Sequence, residues 1–313
     1  MEHALTQLMA RLPQHHSHRP FLKIELQRHA AGKRGEGRLM EKFNEFYSAA
    51  PYEILWDVQL SLGNWRVQMD GLLLTEHRAI IIESKNISGR IHFDLLTDEF
   101  YRTNLEGVKT VMDDPTVQLD KNIRFLQTWF QIQKINLPVE GIVVFTSKQC
   151  EFISKTPGKH ICKTYQMNHL LYKLLEIKSS QKKSLKVNEI RNLIESNQTP
   201  FKHVPLCEHY FIDPSDLTTG VLCSECSQHS MKRVLKKWIC EECGHRDPRA
   251  HHLAVQEYFA LVDKEMSNLQ FRQFSGIESI FVASRMLAEF DLAKSGSKKN
   301  RRYQLKSKNP PLV

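Results

Sequence analysis

Apolar and polar positions follow helix spacing in some segments and strand spacing in others over the first two thirds of the chain. A helical pattern begins at Gly35 and ends before Pro51, and the residues predicted to share one of its faces are Glu36, Met40, Phe43 and Tyr47. Strand patterns cover residues 53–62, 65–75, 79–86, 139–146 and 159–163, and further helix patterns cover 115–131, 167–177 and 187–196. Strands interspersed with helices, without an internal repeat, predict an α/β or mixed α+β domain.

The two ends of the chain are more polar. Residues 1–30 show no clear periodicity, so we interpret them as a polar segment, with His15, His16 and His18 in an exposed linker rather than at a metal. Residues 197–205 predict a second linker, and helix patterns return at 251–266, 269–274 and 278–290. The expected organisation is therefore a segment at 1–30 and domains at 31–200, 201–249 and 250–313.

Composition and charge narrow the class of protein. The 313 residues contain no apolar run of membrane-spanning length, and the N-terminus lacks a signal-peptide pattern, so membrane and secreted classes are disfavoured and a cytoplasmic protein is expected. The net charge is +9, of which residues 231–313 contribute +7, and residues 292–313 contain seven basic residues and no acidic one. A localised basic region favours a polyanionic partner, whereas a solvated tail is the alternative.

Two carboxylates and a lysine give the clearest chemical pattern in the first domain. If strands 65–75 and 79–86 form a hairpin, paired positions sum to 153 and Asp70 lies opposite Glu83, with Cβ atoms roughly 5 Å apart. Lys85 shares the face of Glu83, because residues two apart in a strand point the same way. Carboxylates this close require a cation, and Mg²⁺ suits them. The alternative is an exposed Glu-Lys pair on a solvated strand.

The order of these motifs resembles a known family. Gly35-Glu36-Gly37 at a helix start, then Asp70, then Glu83-Ser84-Lys85, then Gln118 on a later helix are similar to the nuclease-related domain (NERD) of the PD-(D/E)xK superfamily. The resemblance implies a restriction-endonuclease-like mixed sheet flanked by helices. It also implies that Asp70 and Glu83 bind Mg²⁺ or Mn²⁺, that Lys85 is the catalytic lysine, and that Glu36 and Gln118 are accessory residues. Met69 stands where a proline often precedes the aspartate.

Four of the seven cysteines form two CxxC pairs. Their spacing predicts a structural Zn²⁺ site and resembles a zinc ribbon, with the ligands Cys223, Cys226, Cys240 and Cys243. A redox pair is the alternative, but no thioredoxin-like pattern surrounds them. Substitute ligands, needed only if one cysteine fails, are Cys207, His209, His229 and His245. Cys150 and Cys162 are expected to be buried thiols.

The C-terminal region resembles a helix-turn-helix, in which a short helix, a turn at Gly276 and a second helix precede a basic wing at 295–303. By that resemblance the groove-facing residues are Glu278, Ser279, Val282 and Arg285, and the inward ones are Ile280, Ala283 and Leu287. The candidate nucleic-acid contacts are Lys232, Arg233, Lys236 and Lys237 around Trp238, then Arg285, Arg301 and Arg302. A solvated ribbon surface is the alternative for the first four.

Together these patterns favour a metal-dependent nuclease, a hydrolase of phosphodiester bonds, with nucleic acid as partner and DNA as the preferred expectation. Two alternatives from other classes stay open. One is a non-catalytic nucleic-acid-binding adaptor built on a nuclease fold. The other is an interaction protein that binds another protein through its ribbon and helices.

Overall fold

The computed structural model describes residues 1–153, 160–176, 186–199, 204–226, 230–297 and 300–306. The chain divides into two compact units. Ala31–Phe201 forms the central unit, and Met1–Ala30 together with Lys202–Val313 forms the terminal unit. The structure thus groups residues 1–30 with the C-terminal third, unlike the four separate segments expected from the sequence. The expected linker at 197–205 falls partly outside the described residues.

The helices of the described residues are α1 (Glu2–Arg11), α2 (Arg19–Phe43), α3 (Pro115–Ile132), α4 (Met167–Glu176), α5 (Val187–Ser196), α6 (Leu206–Tyr210), α7 (His251–Leu261), α8 (Asn268–Ser275) and α9 (Ile280–Ala288). The strands are β1 (Tyr52–Leu62), β2 (Trp65–Thr75), β3 (Ala79–Lys85), β4 (Gly89–Asp94), β5 (Glu99–Thr103), β6 (Lys109–Met112), β7 (Val139–Phe145), β8 (Cys150–Phe152), β9 (Ile161–Lys163), β10 (Lys232–Val234), β11 (Lys237–Ile239), β12 (Arg246–Asp247), β13 (Glu265–Ser267), β14 (Leu292–Ser295) and β15 (Arg302–Leu305). In the described part, none of the helices is long and apolar enough to cross a membrane.

A five-stranded mixed sheet forms the centre of the central unit, with strand order β1-β2-β3-β7-β9. β1, β2 and β3 are antiparallel, whereas β7 is parallel to β3 and β9 is parallel to β7. Leu74 pairs with Ala79 and Gly71 pairs with Ile82, so the hairpin register predicted from the sequence is confirmed for these pairs. The fold is a mixed α/β fold with helices flanking the sheet, as expected.

β3 is buried on both faces of this sheet, which explains its continuous apolar run. Ile80 and Ile82 pack into a core with α2 and α4, whereas Ile81 packs on the opposite face with α3. Strand alternation places Glu83 on the same face as Ile81. The carboxylate of Glu83 therefore lies on the face of the sheet that packs against α3.

A second sheet, with strand order β6-β5-β4-β8, follows the main hairpin and was not predicted. β4 and β5 are short, and each buries only part of one face. Their apolar positions (Ile91, Phe93 and Phe100) are separated by charged residues and turns, so no strand-length run stands out in the sequence.

The start of α3 agrees with its sequence signal, whereas α2 corrects the prediction. Asp114 caps α3 by accepting a hydrogen bond from the Thr116 N–H at 2.7 Å. α2 begins at Arg19 rather than at Gly35 and ends at Phe43. Its buried face contains Leu39 and Phe43, whereas Tyr47 lies beyond the helix and is 75% exposed. Phe43 of the predicted face is buried as expected, whereas Glu36, Met40 and Tyr47 are exposed and the residue before each of them is buried instead. Gly35-Glu36-Gly37 lies inside the helix.

The terminal unit begins with α1, which corrects the interpretation of residues 1–30 as a polar segment without periodicity. Ala4, Leu5 and Leu8 are fully buried in a core that also contains apolar residues of α7, α8 and α9. Arg11 lies in this core as well, where its guanidinium pairs with Glu257 and donates to the Thr218 carbonyl at 2.7 Å. A buried arginine at the helix end concealed the apolar face in the sequence pattern.

The C-terminal part of this unit alternates helices with a small sheet. α7 ends at Leu261, earlier than predicted, because residues 265–267 form β13. α8 and α9 flank a turn at Gly276, where φ is +70° and glycine is favoured. β13, β15 and β14 then form a three-stranded antiparallel sheet. Lys298 and Lys299 of the predicted wing lie outside the described residues.

Candidate functional site

Glu83 is the most buried polar residue of the cluster predicted from the sequence, with 2% of its surface exposed. Lys85 extends from the same face of β3, and its Nζ lies 3.1 Å from Glu83 Oε1. Gln118 on α3 joins the pair, because its Oε1 accepts from Lys85 Nζ at 2.8 Å and its Nε2 donates to Glu83 Oε1. Three of the predicted site residues therefore form one hydrogen-bonded group at the end of β3.

Asp70 lies on the neighbouring strand, where the Ser84 N–H donates to its Oδ2 at 2.7 Å. This bond fixes the aspartate at the point where β3 leaves β2. Burial raises the pKa of Glu83 to about 7, and the adjacent negative charge of Asp70 adds to this increase. The site therefore disfavours two ionised carboxylates in the absence of a cation.

Glu36 reaches the same region from α2, although the residue is largely exposed. A Cβ at the preceding Gly35 would lie 2.7 Å from Thr146 Oγ1 and 2.9 Å from Asn86 Cβ, so a glycine allows α2 to approach the ends of β3 and β7. Partial burial of its carboxylate, then the charges of Asp70 and Asp57, raise the pKa of Glu36. The carboxylates of Glu36, Asp70 and Glu83 do not all lie within 4.8 Å of one another, so Glu36 is near the pair but not a third member of a compact group.

Asn122 belongs to this group although the sequence analysis missed it. Its side chain is buried, and Nδ2 donates to the Gln68 carbonyl at 3.1 Å and approaches Glu83 Oε2 at 3.5 Å. Asn122 is one helical turn after Gln118, on the face of α3 that packs on the sheet. The sequence feature that could have identified Asn122 is its position four residues after Gln118 on the same helix.

Asp57 is the other acidic residue that the sequence did not single out. It lies in β1 between Trp56, which pairs with Gly71, and Val58, which pairs with Met69. Its φ is +51°, a left-handed conformation that non-glycine residues rarely adopt in a strand. Backbone strain of this kind persists where surrounding structure holds it and is common at functional sites.

The donor atoms at this site suit a hard divalent cation. Ser84 binds one oxygen of Asp70, and Lys85 and Gln118 bind Oε1 of Glu83. In the described contacts, Asp70 Oδ1 has no hydrogen bond, and Glu83 Oε2 has only the long contact to Asn122. Carboxylate oxygens are the ligands that Mg²⁺ and Mn²⁺ prefer, so the residues present fit such an ion.

The comparison with protein families agrees with this geometry. Residues 31–146 match the model of the nuclease-related domain. The match ends at Thr146, so it includes β1 to β7 and α3, together with all five residues of the predicted catalytic cluster. No curated protein and no solved structure matches the chain.

Outside residues 31–146, the four cysteines of the CxxC pairs form one compact cluster. Their Sγ atoms all lie within 4.8 Å of one another, and the closest pairs, Cys223 with Cys243 and Cys226 with Cys240, are 3.6 Å apart. A tetrahedral zinc with Zn–S bonds near 2.3 Å requires sulfurs about 3.8 Å apart. Backbone N–H groups of Cys243 and Glu242 lower the pKa of the Cys240 thiol to about 6, whereas desolvation and the neighbouring sulfur atoms raise the pKa of Cys243 to about 12. Without a metal, the pair therefore favours one thiolate rather than two. The cluster is consistent with a zinc ribbon.

The remaining cysteines agree with their predictions. Cys150, Cys162 and Cys207 are buried and free, and burial raises the pKa of each thiol, to about 11, 12 and 12 respectively. They are therefore protonated thiols at neutral pH. Cys207, His209 and His245 lie outside the four-cysteine cluster, and His229 lies outside the described residues.

Four of the predicted nucleic-acid contacts line one cleft of about 860 Å³, which is formed by the hairpin of β10 and β11 (the ribbon hairpin) and by α9. This cleft is referred to below as the basic cleft. Its cations are Arg233, Lys236, Lys237 and Arg285. Within the described residues none of these four forms an ion pair, whereas Lys232 pairs with Glu241 outside the cleft. Arg301 and Arg302 also lie apart from the cleft, at the start of β15.

Two details of the C-terminal prediction were wrong. Trp238 is 3% exposed and packs into the core of the terminal unit, so its ring is not available to stack on a base. Ile280 was predicted to point inward but is 56% exposed, and the next residue, Phe281, is 80% exposed. Ala283 and Leu287 are fully buried as predicted, so the inward face of α9 is correct except at its first residue.

Proposed function

We propose that the protein is a metal-dependent nuclease that hydrolyses phosphodiester bonds in DNA. One observation carries the proposal. A carboxylate that is almost fully buried, Glu83, lies beside a second carboxylate, Asp70, and directly contacts the ammonium group of Lys85. Two ionised carboxylates this close are unfavourable unless a cation binds between them. Carboxylates that can hold a metal ion, together with a nearby lysine, are suited to binding and hydrolysing phosphate esters.

In this proposal Asp70 and Glu83 would hold Mg²⁺ or Mn²⁺, and the bound ion would supply an acidified water and neutralise developing charge on the phosphate. Lys85 orients the attacking water and stabilises the phosphate oxygens through its ammonium group. Gln118 positions Lys85 and Glu83 relative to each other, because it bonds to both. Glu36 adds a third carboxylate at the exposed side of the site, and Asn122 orients Glu83.

The test is cleavage of plasmid and single-stranded DNA, and of RNA of matched length, by the full chain with Mg²⁺, with Mn²⁺ and with EDTA. We expect cleavage that EDTA abolishes and that Asp70→Asn and Lys85→Met each reduce by roughly a hundredfold or more. Glu41→Gln, a change of an exposed carboxylate on α2 outside the site, is the matched control. Equal cleavage by wild type and Asp70→Asn would refute the assignment of the site.

We further propose that nucleic acid binds the terminal unit through the basic cleft. The four cations of the cleft, which form no ion pair with any described residue, come from two separate elements, the ribbon hairpin and α9. On binding, their charged groups would displace counterions from the phosphates of the nucleic acid. The exposed part of α9 contributes apolar residues beside Arg285, so most of the expected contacts are to the backbone rather than to base edges.

Binding measured across a range of salt concentrations tests this interface. The double change Lys236→Ala/Lys237→Ala should weaken DNA binding and reduce the slope of log K against log salt by about 2, since each phosphate contact contributes close to one unit. Lys264→Ala, an exposed lysine of the same unit outside the cleft, is the control. An unchanged slope in the double variant would remove the cleft from the interface.

The same cleft supports the second candidate function, a non-catalytic nucleic-acid-binding adaptor, since it does not depend on Asp70 or Glu83. Salt-dependent binding without cleavage of any of the three substrates, under every metal condition, would favour the adaptor over the nuclease.

A further inference from the structure

We propose that His251, His252 and Glu289 form a second transition-metal site in the terminal unit, separate from the four cysteines. The two imidazoles converge on a single carboxylate oxygen. His251 Nε2 lies 3.1 Å from Glu289 Oε2, and His252 Nε2 lies 2.9 Å from the same atom. All three candidate ligand atoms lie within 4.8 Å of one another.

The spacing agrees with what a small ion requires. Zinc bonds to histidine nitrogen and carboxylate oxygen are near 2.0–2.2 Å, so ligand atoms in a tetrahedral site lie about 3.3–3.5 Å apart. The observed nitrogen-to-oxygen distances are slightly shorter than this, so small shifts of exposed side chains would admit the ion. Two imidazoles and a carboxylate are a ligand set that Zn²⁺ accepts with one coordination position left open.

The imidazoles are held in place before any ion binds. His252 packs on the Phe290 ring with centroids 4.6 Å apart, and the His251 and His252 rings meet edge to face at 4.7 Å. Trp238 lies on the other side of His251, at 6.4 Å. Because the two rings are already fixed by packing, they lose little conformational freedom when an ion binds. Metal binding is therefore more favourable here than at a pair of flexible surface histidines.

The site is also accessible. The side chains of His252 and Glu289 are 35% and 47% exposed, whereas that of His251 is buried. One ligand is thus anchored in the core, and the other two leave a path for an ion to enter. His251 and Glu289 also line the basic cleft, so a bound ion would lie near the cations of that cleft.

An ion here would join two elements that are distant in sequence. His251 and His252 begin α7, shortly after β12 of the ribbon, and Glu289 directly follows α9. The metal would therefore connect the start of α7 to the end of α9 and brace the wall of the basic cleft.

The experiment is metal counting on the full chain, followed by ¹¹³Cd NMR. After equilibration with Zn²⁺ and gel filtration, wild type should retain two zinc ions per chain, and His252→Ala and Glu289→Gln should each retain one. Cd²⁺-loaded wild type should give two resonances, one at the position of a four-thiolate site and one at that of a nitrogen- and oxygen-ligated site. Only the second should disappear in the two variants.

Glu208→Gln, which changes an exposed carboxylate of α6 outside the cluster, should behave as wild type. His252 and Glu289 are partly exposed, so their substitution leaves the core intact, and the persisting thiolate resonance shows that each variant is folded. One zinc ion per chain in wild type, or two in both variants, would overturn the proposal and leave the cluster as a hydrogen-bonded contact only.

Discussion

At the scale of single residues, Glu83 has the most strongly shifted pKa of the candidate catalytic cluster. Its pKa is about 7 in the folded chain, against an ordinary value of 4.5. Because the folded state holds this proton more tightly than the unfolded state, folding stability from this group is present below pH 4.5 and is lost as the pH rises to 7. A divalent cation bound by the ionised carboxylates, as proposed above, would reverse this effect at neutral pH.

Glu83→Gln should therefore change the pH dependence of stability in a defined direction. In EDTA, the variant should match wild type near pH 4 and exceed it above pH 7, with a difference in the free energy of unfolding of up to about 3 kcal/mol. Added Mg²⁺ should stabilise wild type but not the variant. Urea unfolding between pH 4 and pH 8 measures both effects, with Glu41→Gln as the control. A pH-independent difference between variant and wild type would contradict the assigned pKa.

Most of the residues in the candidate site could be found from the sequence, because they lie close to strand ends or occur in a recognised order. Asp70, Glu83 and Lys85 needed only strand alternation and a hairpin register. Asn122 and Asp57 were missed for different reasons. Asn122 lies on the apolar, sheet-facing side of α3, and its contact with Glu83 is visible only in the folded structure. Asp57 has a left-handed backbone conformation that cannot be read from its residue type.

At the scale of elements, the interior of α2 shows why one glycine matters more than its neighbour. Gly35 faces Thr146 and Asn86 at the ends of strands, whereas a Cβ at Gly37 would meet no atom within 4 Å. Arg38 tightens the same contact, because its guanidinium donates to the Thr146 carbonyl at 2.9 Å and to Asn86 Oδ1 at 3.2 Å. The helix is thus held close to the sheet beside Glu36.

The two glycines provide a matched pair of substitutions. Gly35→Ala should lower the free energy of unfolding by about 1–3 kcal/mol, because the added methyl group overpacks a tight contact. Gly37→Ala should raise it by about 0.5–1 kcal/mol, because alanine is the better helix former and nothing obstructs it. Thermal unfolding of the two variants compares them directly. Equal effects on Tm would indicate that α2 does not depend on close approach at Gly35.

The elements that the sequence predicted well carry strong local signals. β2 and α5 have the predicted bounds, and α3 was predicted to within one residue. The elements that it missed take their stability from tertiary contacts. α1 has a short apolar face interrupted by Arg11, which is satisfied only by Glu257 far along the chain, and β4 to β6 are short strands of a small sheet. The spacing of apolar residues within a segment gives no information about contacts with residues far along the chain.

At the scale of the whole molecule, the basic charge and the clustered carboxylates belong to different units. The cations of the basic cleft lie in the terminal unit, and the candidate catalytic cluster lies in the central unit. The segmentation expected from the sequence separated the ribbon from the C-terminal helices, but the two share one core with α1. Sequence patterns could not indicate the contribution of α1, because it ends at Arg11 and the ribbon begins near Cys223.

Loss of the four-thiolate site should therefore affect the terminal unit selectively. Cys243 is the exposed member of the cluster, so Cys243→Ser removes a ligand with little change in packing. Hydrogen exchange should show reduced protection in β10 to β12 and unchanged protection in β2 and β3. Ser224→Ala, which lies next to Cys223 but outside the cluster, should leave both regions unchanged. Equal loss of protection in both units would argue against a zinc site that stabilises the terminal unit alone.

The burial of Trp238 has a practical consequence. The chain contains four tryptophans, and the other three, Trp56, Trp65 and Trp129, lie in the central unit. Trp238 is thus the sole indole of the terminal unit, between the ribbon and His251. Its emission, isolated by subtracting the spectrum of Trp238→Phe, gives an intrinsic optical signal for the ribbon. With that signal, metal uptake and nucleic-acid binding in the terminal unit can be followed in real time without a label.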